Sequence, residues 1–354
     1  MKVVVWPADL QGCGHYRLIL PAQALQQQGA DVHIDTVGPV VNWDRKWPGA
    51  DDGLPPGPDV QYVSLAQPVE ADVVVIQRPG RRWWADMIPD LHKQGVRVVV
   101  DVDDLFDGLS KSHVGHGSYR QTHVHHEWID RACQQADLVT ATTAPLISRY
   151  GHGHGILLPN LVPAAYLAMS VPERPNTIGW SGVVGTHPGD LQTTEGTVQQ
   201  VLARTGWTFH TIGPVEGVQQ ALRLREKPSA TGWVMFDDYP YALAELQVGI
   251  VPLEDSAFNH AKSCLKAMEM AALGVPVVMS PTPDNLRLHR AGVGMLASSR
   301  GQWARTLGRL CASRDARTDL AGEGRRVMAD LTYETHCDRW WDTWTAPIEK
   351  RSAA

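Results

Sequence analysis

VGIVPLEDSAFNHAKSCLKAMEMAALGVPVVMS, residues 248–280, is the stretch from which the fold of this chain is read. VGIVPL is a short apolar, β-branched run of the kind that forms a buried strand. Asn259 is placed to cap a helix running to about Leu273, and Gly274 ends it in the usual way. GVPVVMS then returns as a second strand. A strand, a helix and a strand in this length make a parallel crossover. Lys262, Lys266 and Glu269 are spaced four and three apart, so on such a helix they share a face. Two of the chain's eight lysines therefore lie one turn apart, which costs a few tenths of a kcal/mol unless an anion is nearby. A helix N-terminus adds positive potential and N–H donors suited to phosphate. A solvated face with a Lys266–Glu269 pair is the plain alternative. The setting favours the anion, because the helix starts just beyond the carboxyl end of a buried strand, where open α/β sheets bind ligands.

The same alternation runs outward in both directions. KVVVW (2–6), ADVHIDTV (30–37), ADVVVIQRP (71–79), VRVVVDVDDLF (96–106), ADLVTATT (136–143) and ILLPN (156–160) read as strands with helical stretches between them. Residues 42–68, rich in Pro, Gly and Asp, read as loop, and GHGHG (151–155) reads as a turn. LVPAAYLAMSVPERPNT (161–177) has several prolines and no strong period, and reads as a linker. Beyond it NTIGWSGVV (176–184), WTFHTIG (207–213), GWVMFDD (232–238), VGIVPL and GVPVVMS restart the pattern. The expected organisation is a Rossmann-like domain over 1–165, a second over 166–335, and a C-terminal helix over 336–354. Trp340, Trp341 and Trp344 would dock that helix on a neighbour, with the N-terminal domain as the candidate. Two such α/β domains facing each other would enclose a cleft at the carboxyl ends of their strands.

Composition narrows the function. The chain has 354 residues, 43% hydrophobic and 20% charged, which is ordinary globular usage and too long for one core to be expected. No run of 18 apolar residues is present, and the N-terminus reads as a strand in place of a signal peptide. Five cysteines, Cys13, Cys133, Cys264, Cys311 and Cys337, are widely spaced with no CxxC pair; disulfides and a zinc site are not expected, and a cytoplasmic setting fits. A net charge of −6 argues against broad nucleic-acid binding, though a local basic groove stays open.

Three further groups stand where chemistry is expected. Gly12 and Gly14 in GCGHYR allow close backbone approach to a ligand after the first strand, with His15, Tyr16 and Arg17 next to them. Asp101, Asp103 and Asp104 end a buried strand. Asp103 and Asp104 are candidates to orient an acceptor hydroxyl or take its proton, the plain alternative being a cap on the next turn. His113, His116, His123, His125 and His126 crowd into fourteen residues. Imidazoles at such spacing can hold zinc, but no Cys lies close by, so no metal is assigned. Tyr239 and Tyr241 in DDYPYALAE would either flank a nucleotide base or pack in the core.

The pattern PL…FN.AKS.LK..E.AALGVPVV resembles the donor-binding segment of GT-B glycosyltransferases, in particular the retaining group similar to glycosyltransferase family 4. GCGHYR, VVVDVDDLF, ADLVTATT, LPN, IGWSGVVGTHPGDL and FHTIG follow in that group's order and extend the resemblance along most of the chain. It implies transfer of a sugar from a nucleotide-diphosphate donor, UDP- or GDP-linked, to a hydroxyl of a glycan, a protein or another acceptor. It also implies retention of anomeric configuration and no obligatory metal. The nucleotide ribose would be bonded by Glu269. Lys262 and Ser263 would meet the diphosphate with Lys266 in support, and Gly12, Gly14 and Arg17 would lie near donor phosphates or acceptor. With no carboxylate identifiable as a nucleophile, Asp103, Asp104, Lys262 and His187 are the candidates to act at the reacting centre.

The chain also departs from the family pattern. Ala261 stands where a glutamate is common, and Val183 where an Arg is common, with no Lys nearby. His187 and Asp190 in GTHPGDL are available instead, His187 as a substitute phosphate contact. Two other readings are open at this stage. One is an NAD(P)-dependent oxidoreductase, although Arg17 occupies the third glycine position of GxGxxG. The other is a non-catalytic sugar- or nucleic-acid-binding module. Acceptor recognition is expected in the loops 38–70 and 107–126, which carry no signature.

Overall fold

In the computed structural model, which describes residues 1–43, 62–119, 125–170 and 174–347, the chain divides into two compact units. Unit 1 comprises Met1–Asp107, His116–Pro159 and His336–Ala354; unit 2 comprises Gly108–Gly115 and Asn160–Thr335.

Unit 1 contains β1 (Val3–Trp6), β2 (Val32–Ile34), β3 (Val41–Trp43), β4 (Tyr62–Leu65), β5 (Val73–Gln77), β6 (Arg97–Val102), β7 (Leu138–Ala141) and β8 (Gly155–Leu157). Six of them form one parallel sheet in the order β2-β1-β5-β6-β7-β8, while β3 and β4 pair antiparallel. Val3 is in register with Val73, Val75 with Val99 and Val100 with Val139. The central strands β1, β5 and β6 are buried along their whole length, which is why they read as unbroken valine-rich runs and not as alternating ones. The helix Asp338–Thr345 packs on the helix Leu20–Gln27 and on β5, with Trp340 and Trp344 fully buried. The 42–68 segment, expected as loop, contributes β3 and β4 at its ends; residues 44–61 between them lie outside the described residues.

Unit 2 carries β9 (Thr177–Ser181), β10 (Thr208–Ile212), β11 (Ser229–Gly232), β12 (Val248–Val251), β13 (Val277–Met279) and β14 (Met295–Leu296), parallel, in the order β11-β10-β9-β12-β13-β14. The GWVMFDD stretch departs from expectation. The strand is SATG and ends at Gly232, and Trp233 and Met235 beyond it are 64% and 60% exposed. Their alternation imitates a strand but faces no core.

The helix expected over 259–273 is two helices, Ala257–Ala261 and Leu265–Ala272. Lys262 between them is extended, with φ −68° and ψ 144°, so Lys262, Lys266 and Glu269 do not share one continuous helical face. The first helix is capped by Ser256, whose side chain accepts from the Asn259 amide, and not by Asn259. The second lies close over β12 because Gly249 has no side chain: a Cβ there would sit 2.3 Å from Met270 Sδ. Just past its C-terminus Arg174 donates to Leu273 O and Gly274 O at 2.8 and 2.6 Å, and also to Ala244 O, at the end of the helix Tyr239–Ala244, at 2.6 Å. Burial lowers the Arg174 guanidinium to about 10. The helix that carries Lys266 and Glu269 is therefore fixed at both its face and its end.

Candidate active site

Chain order in each sheet identifies where a ligand can enter. In unit 2 the chain runs outward from β9 to β10 and β11 on one side and returns to β12 on the other, so the loops after β9 and β12 diverge. That divergence leaves a crevice at the carboxyl ends, the place where open α/β sheets take ligands. In unit 1 the equivalent point lies between β1 and β5.

The unit 2 crevice is built around Lys266. Its ammonium donates to the carbonyl of Ser181, at the end of β9, at 2.7 Å. It also lies 3.1 Å from His187 Nε2 and over the Trp180 ring at 5.7 Å. His187 Nδ1 is 2.9 Å from Asp190 Oδ2, and Asp190 is 1% exposed. The other oxygen, Asp190 Oδ1, accepts from the Glu254 amide at 2.8 Å and from Asn259 Nδ2 at 2.7 Å. Burial, then the neighbouring Lys266, push the His187 imidazole down to about 3, so the ring is neutral. Burial alone would raise the Asp190 carboxyl, but the hydrogen bonds from His187, Glu254 and Asn259 hold it below the ordinary carboxylate range. With Asp190 ionised and accepting, the imidazole proton belongs on Nδ1. Nε2 is then left to accept from Lys266.

The backbone around this ammonium leaves no room for side chains. A Cβ on Gly182 would meet Trp180 at 2.6 Å and Lys266 Nζ at 3.1 Å; one on Gly213, whose φ is +120°, would meet Gly182 O at 2.4 Å. Glu269, one turn beyond Lys266, is 3% exposed and accepts from Tyr239 Oη at 3.4 Å, while Tyr239 Oη lies 2.9 Å from Ser181 Oγ. Burial, then the Glu269 charge, push the Tyr239 phenol well up. Lys262 lies over the Phe258 ring at 4.3 Å, and Ser263 Oγ accepts from Asn160 Nδ2 at 3.0 Å. The segment Gly108–Gly115 lies on the same side: the Val114 amide donates to Gly185 O at 2.9 Å, and the His113 ring meets Phe258 edge-on at 5.5 Å. The structure thus gathers Lys262, Ser263, Lys266, Glu269 and His187 in unit 2. It adds Trp180, Ser181, Asp190, Asn259 and Tyr239, of which sequence reasoning saw only Asp190 and Tyr239 as candidates. Asn259 was seen in the sequence only as a candidate helix cap.

Unit 1 collects Gly12, Gly14, Arg17, Asp103 and Asp104. Gly12–Gly14 opens a helical stretch that passes through a π-helical turn, His15–Ile19, into Leu20–Gln27. Asp9 Oδ1 accepts from the amides of Gln11 and Gly14 at 2.9 and 3.0 Å, and a Cβ on Gly14 would fall 1.8 Å from Asp9 O. Arg78, in the left-handed region at φ 47°, forms ion pairs with Asp9 at 3.2 Å and Asp103 at 2.8 Å. Burial raises the Asp103 carboxyl even against the lowering by Arg78. Arg17, expected beside a ligand, turns inward: it is 1% exposed, with Nε and Nη2 donating to the two oxygens of Asp101 at 3.0 and 2.8 Å and Nη1 donating to Leu158 O at 2.8 Å. Thr140 Oγ1 completes the shell of Asp101 at 2.6 Å.

In the histidine-rich segment, His125 caps the helix His126–Gln135 by accepting from the Glu127 amide, and His123 lies outside the described residues. Among the described residues no group of three or more His, Cys, Asp or Glu is placed to hold a metal ion, and no helix is long and apolar enough to cross a membrane.

Residues 176–313, nearly all of the β9–β14 sheet unit, match the family described as glycosyl transferases group 1. No curated protein sequence matches the chain. Among solved structures, HepE of Anabaena in complex with UDP-glucose is 14% identical, with 98% of this chain and all of that one covered and a TM-score of 0.66. WaaG, a glycosyltransferase involved in lipopolysaccharide biosynthesis, is 12% identical over 98% of this chain and all of that one, at 0.62. Sucrose-phosphate synthase of Thermosynechococcus elongatus is 15% identical over 97% of this chain and 98% of that one, at 0.59. At such identities the likeness speaks for the fold, and the family match speaks for the chemistry of unit 2. Residues 176–313 thus carry a glycosyl transferases group 1 domain, and the two parallel six-stranded sheets of the chain share the GT-B fold of these solved structures.

Proposed function

We propose that the enzyme takes its sugar from a nucleoside-diphosphate donor seated at the carboxyl ends of β9 and β12. The observation that carries this reading is Lys266: a half-buried ammonium at the first turn of the helix Leu265–Ala272, held by Ser181 O and His187 at the switch point of a group 1 domain. A cation and a helix N-terminus converge there, which is the combination a diphosphate requires.

In this reading Lys266 and Ser263 hold the diphosphate, and Lys262, one residue beyond the first helix, adds a second charge. Glu269, deep in the same crevice, accepts from the ribose hydroxyls. Gly182 and Gly213 let the donor lie against backbone. As the bond from the sugar to the diphosphate breaks, negative charge grows on the departing oxygen. Fixed donors stabilise that charge more than the ground state, which is how they raise the rate. HepE has been solved with UDP and with UDP-glucose, which favours a uridine donor as the first to test here.

The incoming hydroxyl group of a glycan, protein or other acceptor would be received on unit 1, where Asp103 and Asp104 end β6 and Arg78 holds Asp9 and Asp103. No residue is assigned as a covalent nucleophile, so attack on the face the leaving group departs from, with retained configuration, is the mechanism this reading favours. The test is a panel of nucleoside diphosphates scored by calorimetry, followed by NMR of the product anomer with the donor that binds. Binding of UDP or GDP and a retained anomer are expected; no binding by any diphosphate, or an inverted product, would overturn the corresponding part.

A further inference from the structure

We infer that His187 does not itself contact the donor but is a positioning residue: with Asp190 it forms a relay that aims the Lys266 ammonium at the diphosphate. This inference rests on the donor site proposed above and assigns it a support that links three segments distant in sequence.

Lys266 brings only donors, so its contact at His187 Nε2 requires a lone pair there. The lone pair exists only in the tautomer with the proton on Nδ1, and Asp190 Oδ2 at 2.9 Å accepts that proton. Asp190 is itself oriented, because Oδ1 takes the Glu254 amide and Asn259 Nδ2, one from the loop after β12 and one from the helix Ala257–Ala261. The loop after β9 and the loop after β12 are thereby tied through one carboxylate, and the ammonium is held at the far end of the chain of bonds. Trp180 packs edge-on to the imidazole at 5.9 Å and beneath Lys266 at 5.7 Å, so one ring flanks both groups. The charged groups that act on His187 are Lys266 and Lys262, which oppose its protonation, and Asp190, which favours it. This arrangement also accounts for the histidine where the family pattern led us to expect a phosphate-binding cation: the loop after β9 supplies orientation, and the charge comes from Lys266.

The decisive variant is Asp190→Asn. Its amide oxygen can still serve the Glu254 and Asn259 donors, which turns the NH2 group toward His187 Nδ1. The imidazole must then carry its proton on Nε2, and it meets Lys266 as donor against donor. Two measurements follow on the full-length protein: the 15N chemical shifts of His187, assigned by difference from His187→Gln, and UDP and GDP affinity by calorimetry in a cycle of Asp190→Asn with Lys266→Met.

The relay predicts an Nδ1–H tautomer in the native protein, an Nε2–H tautomer in Asp190→Asn, and an affinity loss of about tenfold that disappears when Lys266 is already Met. An unchanged tautomer in Asp190→Asn, or the same affinity loss with and without Lys266, overturns the relay while leaving the donor site standing. Undiminished affinity in Lys266→Met removes the donor site and the relay together. A folded Asp190→Asn with native tautomer and native affinity also counts against the relay.

Discussion

Replacing Lys266 with Met tests the site where its geometry is best defined. The substitution keeps an unbranched apolar stem beside Trp180 and removes only the charged head. Two hydrogen bonds go with it, to Ser181 O and to His187 Nε2. Leaving buried acceptors unmet costs about 1–3 kcal/mol each, about 2–6 kcal/mol for the pair, and water reaching the carbonyl brings the expected stability loss to about 2–4 kcal/mol. For a unit of this size that lowers Tm by roughly 5–10 °C and leaves the protein folded at 20 °C. The effect on catalysis is separate. Removing one fixed donor from a site of developing negative charge costs about 100- to 1,000-fold in kcat, roughly 2.7–4 kcal/mol. The assay is sugar release from whichever nucleotide-sugar donor the calorimetric panel selects, with the donor concentration varied to separate kcat from KM and Lys93→Met on the surface of unit 1 as the control. A folded Lys266→Met protein whose kcat stays within about threefold of native would refute the assignment of Lys266 to the leaving diphosphate.

Three other outcomes follow from the structure. Arg17→Met should destabilise unit 1 by about 3–5 kcal/mol, because it leaves the Asp101 carboxylate buried without its partner, whereas Arg17→Met with Asp101→Leu should recover most of that in urea denaturation. Gly14→Ala forces a Cβ to within 1.8 Å of Asp9 O, so the loop after β1 must move, and a Tm drop of several degrees is expected by calorimetry. The neutral His187 makes stability depend on pH with a definite sign: its folded value, about 3, lies below the 6.5 of the free side chain, so the unfolded chain takes up a proton that the folded one refuses. That contribution is fully present above pH 6.5 and is lost as pH falls toward 3. Between pH 7 and pH 5 His187→Gln should therefore lose up to about 2 kcal/mol less than the native protein in denaturant titrations.

The alternation of strands and helices was legible because burial on both faces leaves strands such as VVVIQ and RVVVDV as apolar runs. It failed where that cause was missing. The β11 strand, SATG, has no large apolar residue, and β14 is two residues long, while Trp233 and Met235 carry strand-like alternation on an exposed turn. The helix after β12 was read as the place of the proposed donor site because it starts beyond the carboxyl end of a buried strand, and in the observed strand order that strand borders the switch point. Its internal wiring was not. The break at Lys262 has no Gly or Pro to mark it, and it is held open by contacts such as the Cys264 amide donating to Asp284 at 2.8 Å. Asp190 meets Asn259 across 69 residues, and Arg17 meets Asp101 across 84. Such pairings have no local pattern, so Asn259 was read as a cap and Arg17 as a ligand contact.

The central claim is that a diphosphate sits against Lys266 with the ribose at Glu269, and a crystal structure of the protein soaked with UDP measures it directly. The account predicts phosphate oxygens within hydrogen-bonding distance of Lys266 Nζ, ribose hydroxyls on the Glu269 carboxylate, and His187 still bonded to Asp190. UDP bound elsewhere in a fully occupied crystal, with the crevice between the β9 and β12 loops empty, would contradict it.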